Sequence, residues 1–129
     1  MDCYIDINGV LLTHDLKPAE GVVDFLRQVT EKYTCFWLTT HCKGDRNTCV
    51  NYLRPILPSQ AMWYVEKILP TDWQTLKTEA IKWDRPFVWF DDVLFEAEER
   101  ELQRHKSFDS FIRVDLNKNP NALELLLVS

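Results

Sequence analysis

"YIDINGVLLTHD", residues 4 to 15, starts as an apolar strand and changes character at the carboxylate Asp6. Two positions later, where a second carboxylate would stand beside the first, it carries the amide Asn8. An Asn-Gly pair after an apolar run is a turn signal. A carboxylate just past a buried strand is also where α/β proteins place ligand-binding groups. Two readings open together: a phosphate-chemistry site with one working part replaced, or a strand running into a turn.

The rest of the chain bears on which is right. Cys3 to Ile7, Thr34 to Leu38, Phe87 to Phe90 and Phe111 to Val114 are short apolar runs. Most lack alternation, as expected of strands covered on both faces in a parallel sheet. Met62 to Val65 reads as a fifth, weaker strand. Helical spacing separates them. After Pro18, Val22, Phe25, Leu26 and Val29 recur at i, i+3, i+4 and i+7, one apolar stripe. Cys49, Val50 and Leu53 predict a second helix that ends near Pro55. Trp73, Leu76, Ala80 and Trp83 recur at helical spacing and predict a third, the charged stretch Phe95 to His105 a fourth, and Asn121 to Leu127 a last one. The alternation predicts one α/β domain over residues 1–129, a three-layer, doubly wound, Rossmann-like sandwich with a mainly parallel sheet and right-handed crossovers.

Bulk properties agree with one domain. The 129 residues are 46% hydrophobic, enough for one ordinary core. Fifteen basic residues stand against 20 acidic ones, a formal charge of -5, and no basic run forms a footprint for duplex nucleic acid. A single phosphorylated group needs only a local anion site. The first strand begins within five residues of the start, leaving no room for a secretory leader, and no apolar run approaches the ~20 residues of a membrane span. A soluble, cytoplasmic protein with no membrane partner is expected. Cys3 and Cys35 lie inside apolar strands and no C-x-x-C pair occurs, so reduced, structural thiols are expected, with a bridge or a reactive Cys42 as the alternative.

Ligands in such sheets bind beyond the carboxyl ends of the strands, which groups Asp6 and Asn8 with Thr39 and Thr40 and with Asp91 and Asp92. Hydroxyls after "CFWL" can hold a phosphate oxygen together with nearby amides, or simply satisfy a turn. The adjacent carboxylates after "FVWF" repel one another unless a cation joins them, and magnesium suits a few carboxylates plus phosphate oxygens. A solvated Asp-Asp turn is the bland alternative. Glu96 reads as an outer ligand or as an anion at a helix start. Phosphoryl chemistry also needs a cation for charge that develops in the transition state. On the third predicted helix Lys77 flanks the apolar stripe and Lys82 falls opposite it, further from the site, so Lys77 is favoured, with Lys43 and Lys67 as substitutes.

With these pieces in place the chain resembles the haloacid dehalogenase-like superfamily of phosphatases and phosphotransferases. Its first motif is an apolar strand followed by D-x-D-G-[TV]-[LV], which "YIDINGVLL" matches except at Asn8; "CFWLTT", Lys77 and "FVWFDD" match the second, third and fourth in order. The resemblance implies Asp6 as the nucleophile that becomes an aspartyl phosphate, Thr39 with Thr40 and Lys77 as phosphate-binding groups, and Lys77 as charge stabiliser. It implies Asp6, the Asn8 carbonyl, Asp91 and Asp92 as magnesium ligands. Family members often insert a cap after the first or second motif, and neither gap here has room for a large one. An open site suits a bulky phosphorylated substrate, such as a protein side chain or nucleic-acid end, or a partner that covers it. The "WFDD" form also looks like that of capless members found in RNA-repair proteins. A response-regulator receiver has similar parts in a different order.

Position 8 is normally the general acid and base, a role a carboxamide cannot fill, and such help is worth ~10²- to 10⁴-fold in rate. The chain then reads as a slow or specialised enzyme, with His14 or His41 as a stand-in; as a pseudoenzyme that keeps the site for phosphate, metal or protein binding; or as a chain whose Asn8 is an altered Asp. Of the other conspicuous residues, Trp37, Trp73, Trp83 and Trp89 read as core and Trp63 as core or the border of a cleft. "EAEERE" reads as a solvated helix face, with His105 at that helix's carboxyl end.

Overall fold

The structure is a computed structural model that describes residues 1–40 and 44–128. Strands β1 (Asp2–Ile5), β2 (Thr34–Trp37), β3 (Phe87–Asp91) and β4 (Phe111–Arg113) form one four-stranded sheet in the order β2-β1-β3-β4, and every pairing is parallel. β1 is central and buried throughout, which is why its sequence shows no polar face. Leu69 extends the β2 edge, pairing with Phe36 and exchanging backbone hydrogen bonds with Cys35 and Trp37.

Helices α1 (Val22–Lys32), α2 (Arg46–Leu53), α3 (Ser59–Val65), α4 (Glu96–Arg104) and α5 (Ala122–Val128) lie between or after the strands. α1 buries Val22, Phe25, Leu26 and Val29, the stripe its spacing predicts, and carries Asp24 in its first turn and Lys32 in its last, both favourable to the helix dipole. Asp45 caps α2 by accepting from the Asn47 N–H at 2.9 Å. None of these helices is long and apolar enough to cross a membrane.

Alternation along β1 feeds two separate apolar clusters. Cys3 and Ile5 join one cluster with Phe25, Leu26 and residues of α2, α3 and α5; Tyr4 joins another with Phe36, Trp89 and Leu102 of α4. Phe25 meets Phe90 edge to face at 5.2 Å in the first cluster, and Tyr4 stacks on Phe36 at 5.4 Å in the second.

Three sequence expectations are corrected. Met62 to Val65 is helical, because Ala61, Met62 and Val65 are the residues that bury, at i, i+1 and i+4, while Trp63 stands 67% exposed with Lys67 over its ring. Residues 73 to 83 are not an α-helix; the only helical piece there is a short 3-10 turn, Lys77–Ala80. The backbone N–H groups of Gln74, Thr75 and Leu76 all donate to the Glu79 carboxylate. Glu79 thereby gathers residues 74–76 into a turn ahead of the 3-10 piece. Trp37 and Trp89 are fully buried, Trp73 and Trp83 partly so, packed on the second cluster. His105 ends α4 and stacks on Trp83. Cys3 and Cys35 are buried free thiols, but the expectation of reduced thiols fails at Cys49, which is disulfide-bonded. His41, Cys42 and Lys43 lie outside the described residues.

Phe25→Ala should lower the unfolding free energy by ~3–5 kcal/mol in urea denaturation, since it removes a ring from a packed core. Trp63→Ala should cost less than ~1 kcal/mol, the value of an exposed ring under a cation. A Trp63 effect as large as that of Phe25 would contradict this division of core and surface.

Candidate active site

Parallel register sets the carboxyl ends of the central strands level. Ile5 pairs with Trp37 on one side and Phe90 on the other, so the next residue, Asp6, emerges beside Asp91 at the end of β3. The Asp6 N–H donates to the Phe90 carbonyl at 3.0 Å, continuing the ladder one residue past β1. Thr39 and Thr40 follow β2 at the same rim. Gly9 turns the chain back with φ +86°, and a Cβ there would stand 2.2 Å from the Asp92 carboxylate. Glycine is required at that point because the Asp92 side chain lies against its backbone.

Lys77 reaches this rim. Its ammonium donates to Asp91 Oδ2 at 2.7 Å and lies 3.5 Å from Asp6 Oδ2, with 13% of the side chain exposed. Lys77 is the lysine that the sequence favours, but the structure brings it to the rim without the helix on which that choice rests. Glu79 holds the preceding residues in a loop, and the buried Glu98 accepts the Lys77 backbone N–H at 3.2 Å. The other Glu98 oxygen accepts the Phe95 N–H at 3.1 Å, so one carboxylate ties the lysine loop to the start of α4. Asp91 is fixed in turn: its Oδ2 also accepts the Trp89 indole N–H at 3.2 Å, and its Oδ1 the N–H groups of Asp92 and Val93.

The electrostatics are those of a site short of positive charge. Burial, then the Asp6 charge, pushes Asp91 up to about 6 against the pull of Lys77. Burial also raises Asp6, opposed by Lys77, and raises Asp92, helped by its hydrogen bond and charge contact with Asp91. Burial works against the charge on Lys77, yet Asp6, Asp91 and the hydrogen bond outweigh it and raise its pKa. Oxygens of Asp6, Asp91 and Asp92 lie within 4.8 Å of one another. Ligands on opposite sides of magnesium sit at most about 4.2 Å apart, so rotamer adjustments of roughly half an ångström close the set. Three carboxylates held this near one another, all with raised pKa values, fit a divalent cation.

A cavity of about 210 Å³ opens on the site, and Asp6, Thr40, Lys77, Asp91 and Asp92 line it. Of the remaining sequence-predicted residues, Thr39 is buried and Asn8 half-buried beside this lining without contributing to it. The Asn8 carboxamide oxygen accepts the Tyr52 hydroxyl of α2 at 3.0 Å. Tyr52 and Glu98 are therefore site residues that sequence reading missed. Trp73, Thr75, Val93 and Phe95, which complete one wall, were missed as well. Of the substitutes, Lys43 lies outside the described residues and Lys67 lies over the Trp63 and Tyr64 rings; Lys82, which the sequence disfavours, lies over the Phe36 ring. Glu96 pairs with Arg100 on the surface. His14 is exposed and lines a neighbouring cavity with Gly9, Asp92 and Arg113.

Comparison of the chain with family models, with curated proteins and with solved structures finds no match. The functional reading therefore stands on the geometry and chemistry of these residues.

Because the Asp91 pKa is higher in the folded chain than its ordinary 3.8, the native state holds that proton more tightly than the unfolded chain. This group's favourable contribution is thus present at low pH and is lost as pH rises through about 6. Magnesium selects the ionised carboxylates. Added at a hundred times its Kd it should stabilise the fold by ~2.7 kcal/mol, roughly a 10 °C rise in Tm at this chain length. The rise should be largest above pH 7 and small at pH 5. Asp91→Asn should abolish the magnesium effect and flatten the pH dependence of the metal-free protein. Thermal melts across pH, with and without magnesium, read both; no magnesium effect at pH 7.5 would remove the metal assignment.

Proposed function

We propose that this chain is a magnesium-dependent phosphatase or phosphotransferase of the haloacid dehalogenase-like kind, a doubly wound, capless domain that works through an aspartyl phosphate on Asp6. The observation that carries the reading is the Lys77 ammonium between Asp6 and Asp91, with Asp92 alongside, at the carboxyl rim of a parallel sheet. The two apolar clusters fed by alternate residues of β1 support the layered fold.

Each residue has a definable task. Asp6 Oδ attacks the phosphorus atom, and Lys77 favours its ionised form beforehand, then offsets charge on the phosphoryl oxygens as it spreads in the transition state. Thr40, on the cavity wall, and Thr39 beside it supply hydroxyls to the phosphate. Asp91, hydrogen-bonded by Trp89 and two backbone N–H groups, holds Lys77 in line and, with Asp6, Asp92 and the Asn8 carbonyl, makes the metal-binding set. When bound there, magnesium supplies charge neutralisation and orientation of the phosphoryl group. Water then attacks phosphorus, the bond to Asp6 breaks, and inorganic phosphate leaves.

Asn8 restricts the chemistry. Tyr52 holds its carboxamide by the oxygen, and an amide neither donates nor accepts a proton near neutral pH, so the leaving group departs unprotonated by this residue and water attacks without its help. That feature is also what favours a second reading, a binding module that retains the site without turnover.

Purified protein with magnesium should hydrolyse acetyl phosphate and p-nitrophenyl phosphate, and Asp6→Asn should remove the activity. Failure of the wild type on both, with magnesium-dependent stabilisation intact, would favour the binding module. Asn8→Asp should raise kcat at least tenfold, because Asp still accepts the Tyr52 hydrogen bond and restores a titratable group worth ~10²- to 10⁴-fold. An unchanged rate would mean that position 8 is not the missing part.

A further inference from the structure

We propose that the cavity beside the carboxylates is a vestibule for an aromatic leaving group, so that the substrates are aryl phosphate monoesters. This rests on the phosphoryl-transfer reading and names its substrate class. Two independent observations meet in it: the lining of the cavity and the amide at position 8.

The lining is mixed. Beside Asp6, Lys77 and Asp91 it carries the apolar side chains of Trp73, Val93 and Phe95. Trp73 packs against the cluster that holds Tyr4 and Trp89 and is half-buried, so its ring is a fixed wall. Phe95 is 61% exposed at the first position before α4. Its backbone is pinned through its N–H to Glu98, the same carboxylate that holds the Lys77 backbone. An exposed ring on a pinned backbone, lining the same cavity as the reacting groups, costs little to order and offers a face to a flat partner.

Size and charge choose among flat partners. A cavity of about 150 Å³ suffices for a benzene ring, so about 210 Å³ takes one ring beside a phosphoryl group. It falls short of the ~300–1,000 Å³ typical of larger ligands. Among the described residues Lys77 is the one cation on the lining, against Asp6, Asp91, Asp92 and Glu98. A nucleoside polyphosphate would bring several further negative charges to a wall with nothing to receive them, whereas an aryl ring brings none.

Leaving-group chemistry reaches the same class. With Asn8 unable to donate a proton, the oxygen leaving phosphorus carries its electron pair away as an anion. A phenol ionises near a pKa of about 10, well below an alkyl hydroxyl, so a phenolate leaves where an alkoxide stalls. In the step, Asp6 Oδ bonds to phosphorus, the phosphorus–aryl oxygen bond breaks, and the phenolate takes a proton from solvent. Water then cleaves the aspartyl phosphate, releasing phosphate and a proton.

The test separates recognition from turnover. Calorimetry with magnesium should show phenylphosphonate binding at least tenfold tighter than methylphosphonate. Phe95→Ala should cut that ratio to threefold or less and Phe95→Tyr should restore it. Phe95 is exposed, so neither variant threatens the fold. In turnover, phenyl phosphate or a phosphotyrosyl peptide should exceed ethyl phosphate and the matching phosphoseryl peptide at least a hundredfold in kcat/KM. The better of the two aryl substrates tells whether the ring arrives free or on a protein. Equal binding of the phosphonates, or a ratio unmoved by Phe95→Ala, overturns the vestibule. Acetyl phosphate turnover without any preference for the aromatic phosphonate would leave the phosphatase reading and end this one. Selective phenylphosphonate binding without turnover of any ester would keep the aromatic vestibule as a binding site but end the phosphatase reading and, with it, the substrate assignment.

Discussion

One ammonium group surrounded by acid governs this rim of the molecule. Lys77 stands between Asp6 and Asp91 with Asp92 next to them, and the Asp91 side chain is 1% exposed. Burying ionised groups costs several kcal/mol each unless attraction and hydrogen bonds offset it. Here the offset is incomplete, as the upward displacement of all three aspartates shows. Raised carboxylates around one specific cation, lining a cavity, mark a candidate functional site.

What keeps the lysine there is not its own secondary structure. Glu79 gathers three consecutive N–H groups ahead of it, the Thr71 hydroxyl donates to the Trp37 carbonyl of β2, and Glu98 takes the Lys77 N–H from across the cavity. The loop is thereby tied to a strand end on one side and a helix start on the other. A 3-10 turn of four residues has few hydrogen bonds of its own, so these side chains decide where the ammonium points.

Those facts explain what could be read in the sequence. Asp6 and Asp91 were legible because each closes an apolar run, and a parallel sheet brings such ends to one rim whatever the loops do. α1 was legible from four apolar residues at helical spacing. Trp73, Leu76, Ala80 and Trp83 show the same spacing and form no α-helix; Glu79 gathers the N–H groups of residues 74–76 instead, a contact that periodicity does not encode. Met62 to Val65 misled for a different reason: a run of four apolar residues suits either state, and only the packing of Ala61, Met62 and Val65 chooses. Tyr52 lies 44 residues from Asn8 and Glu98 lies 21 from Lys77. Nothing local in either stretch announces the contact. Glu98 sits inside "EAEERE", where the same carboxylate that reads as solvated surface is 2% exposed.

The acidic surplus also dictates an order of events for the proposed chemistry. With its carboxylates ionised, the described lining carries four negative charges and one positive, so a phosphate dianion approaching the bare cavity is repelled. Two unit charges 4 Å apart interact by about 4 kcal/mol at an effective dielectric of 20, enough to decide occupancy. A divalent cation held first by Asp6, Asp91 and Asp92 would remove most of that repulsion, with Lys77 left to face the incoming oxygens. Asp91, which titrates near 6 in the metal-free site, would then give up its proton, because a carboxylate is a far stronger acid beside a dication. Metal binding and readiness of the carboxylates are then one equilibrium, and the aromatic wall, which carries no charge, is the part of the cavity that a substrate can meet favourably before the cation has arrived.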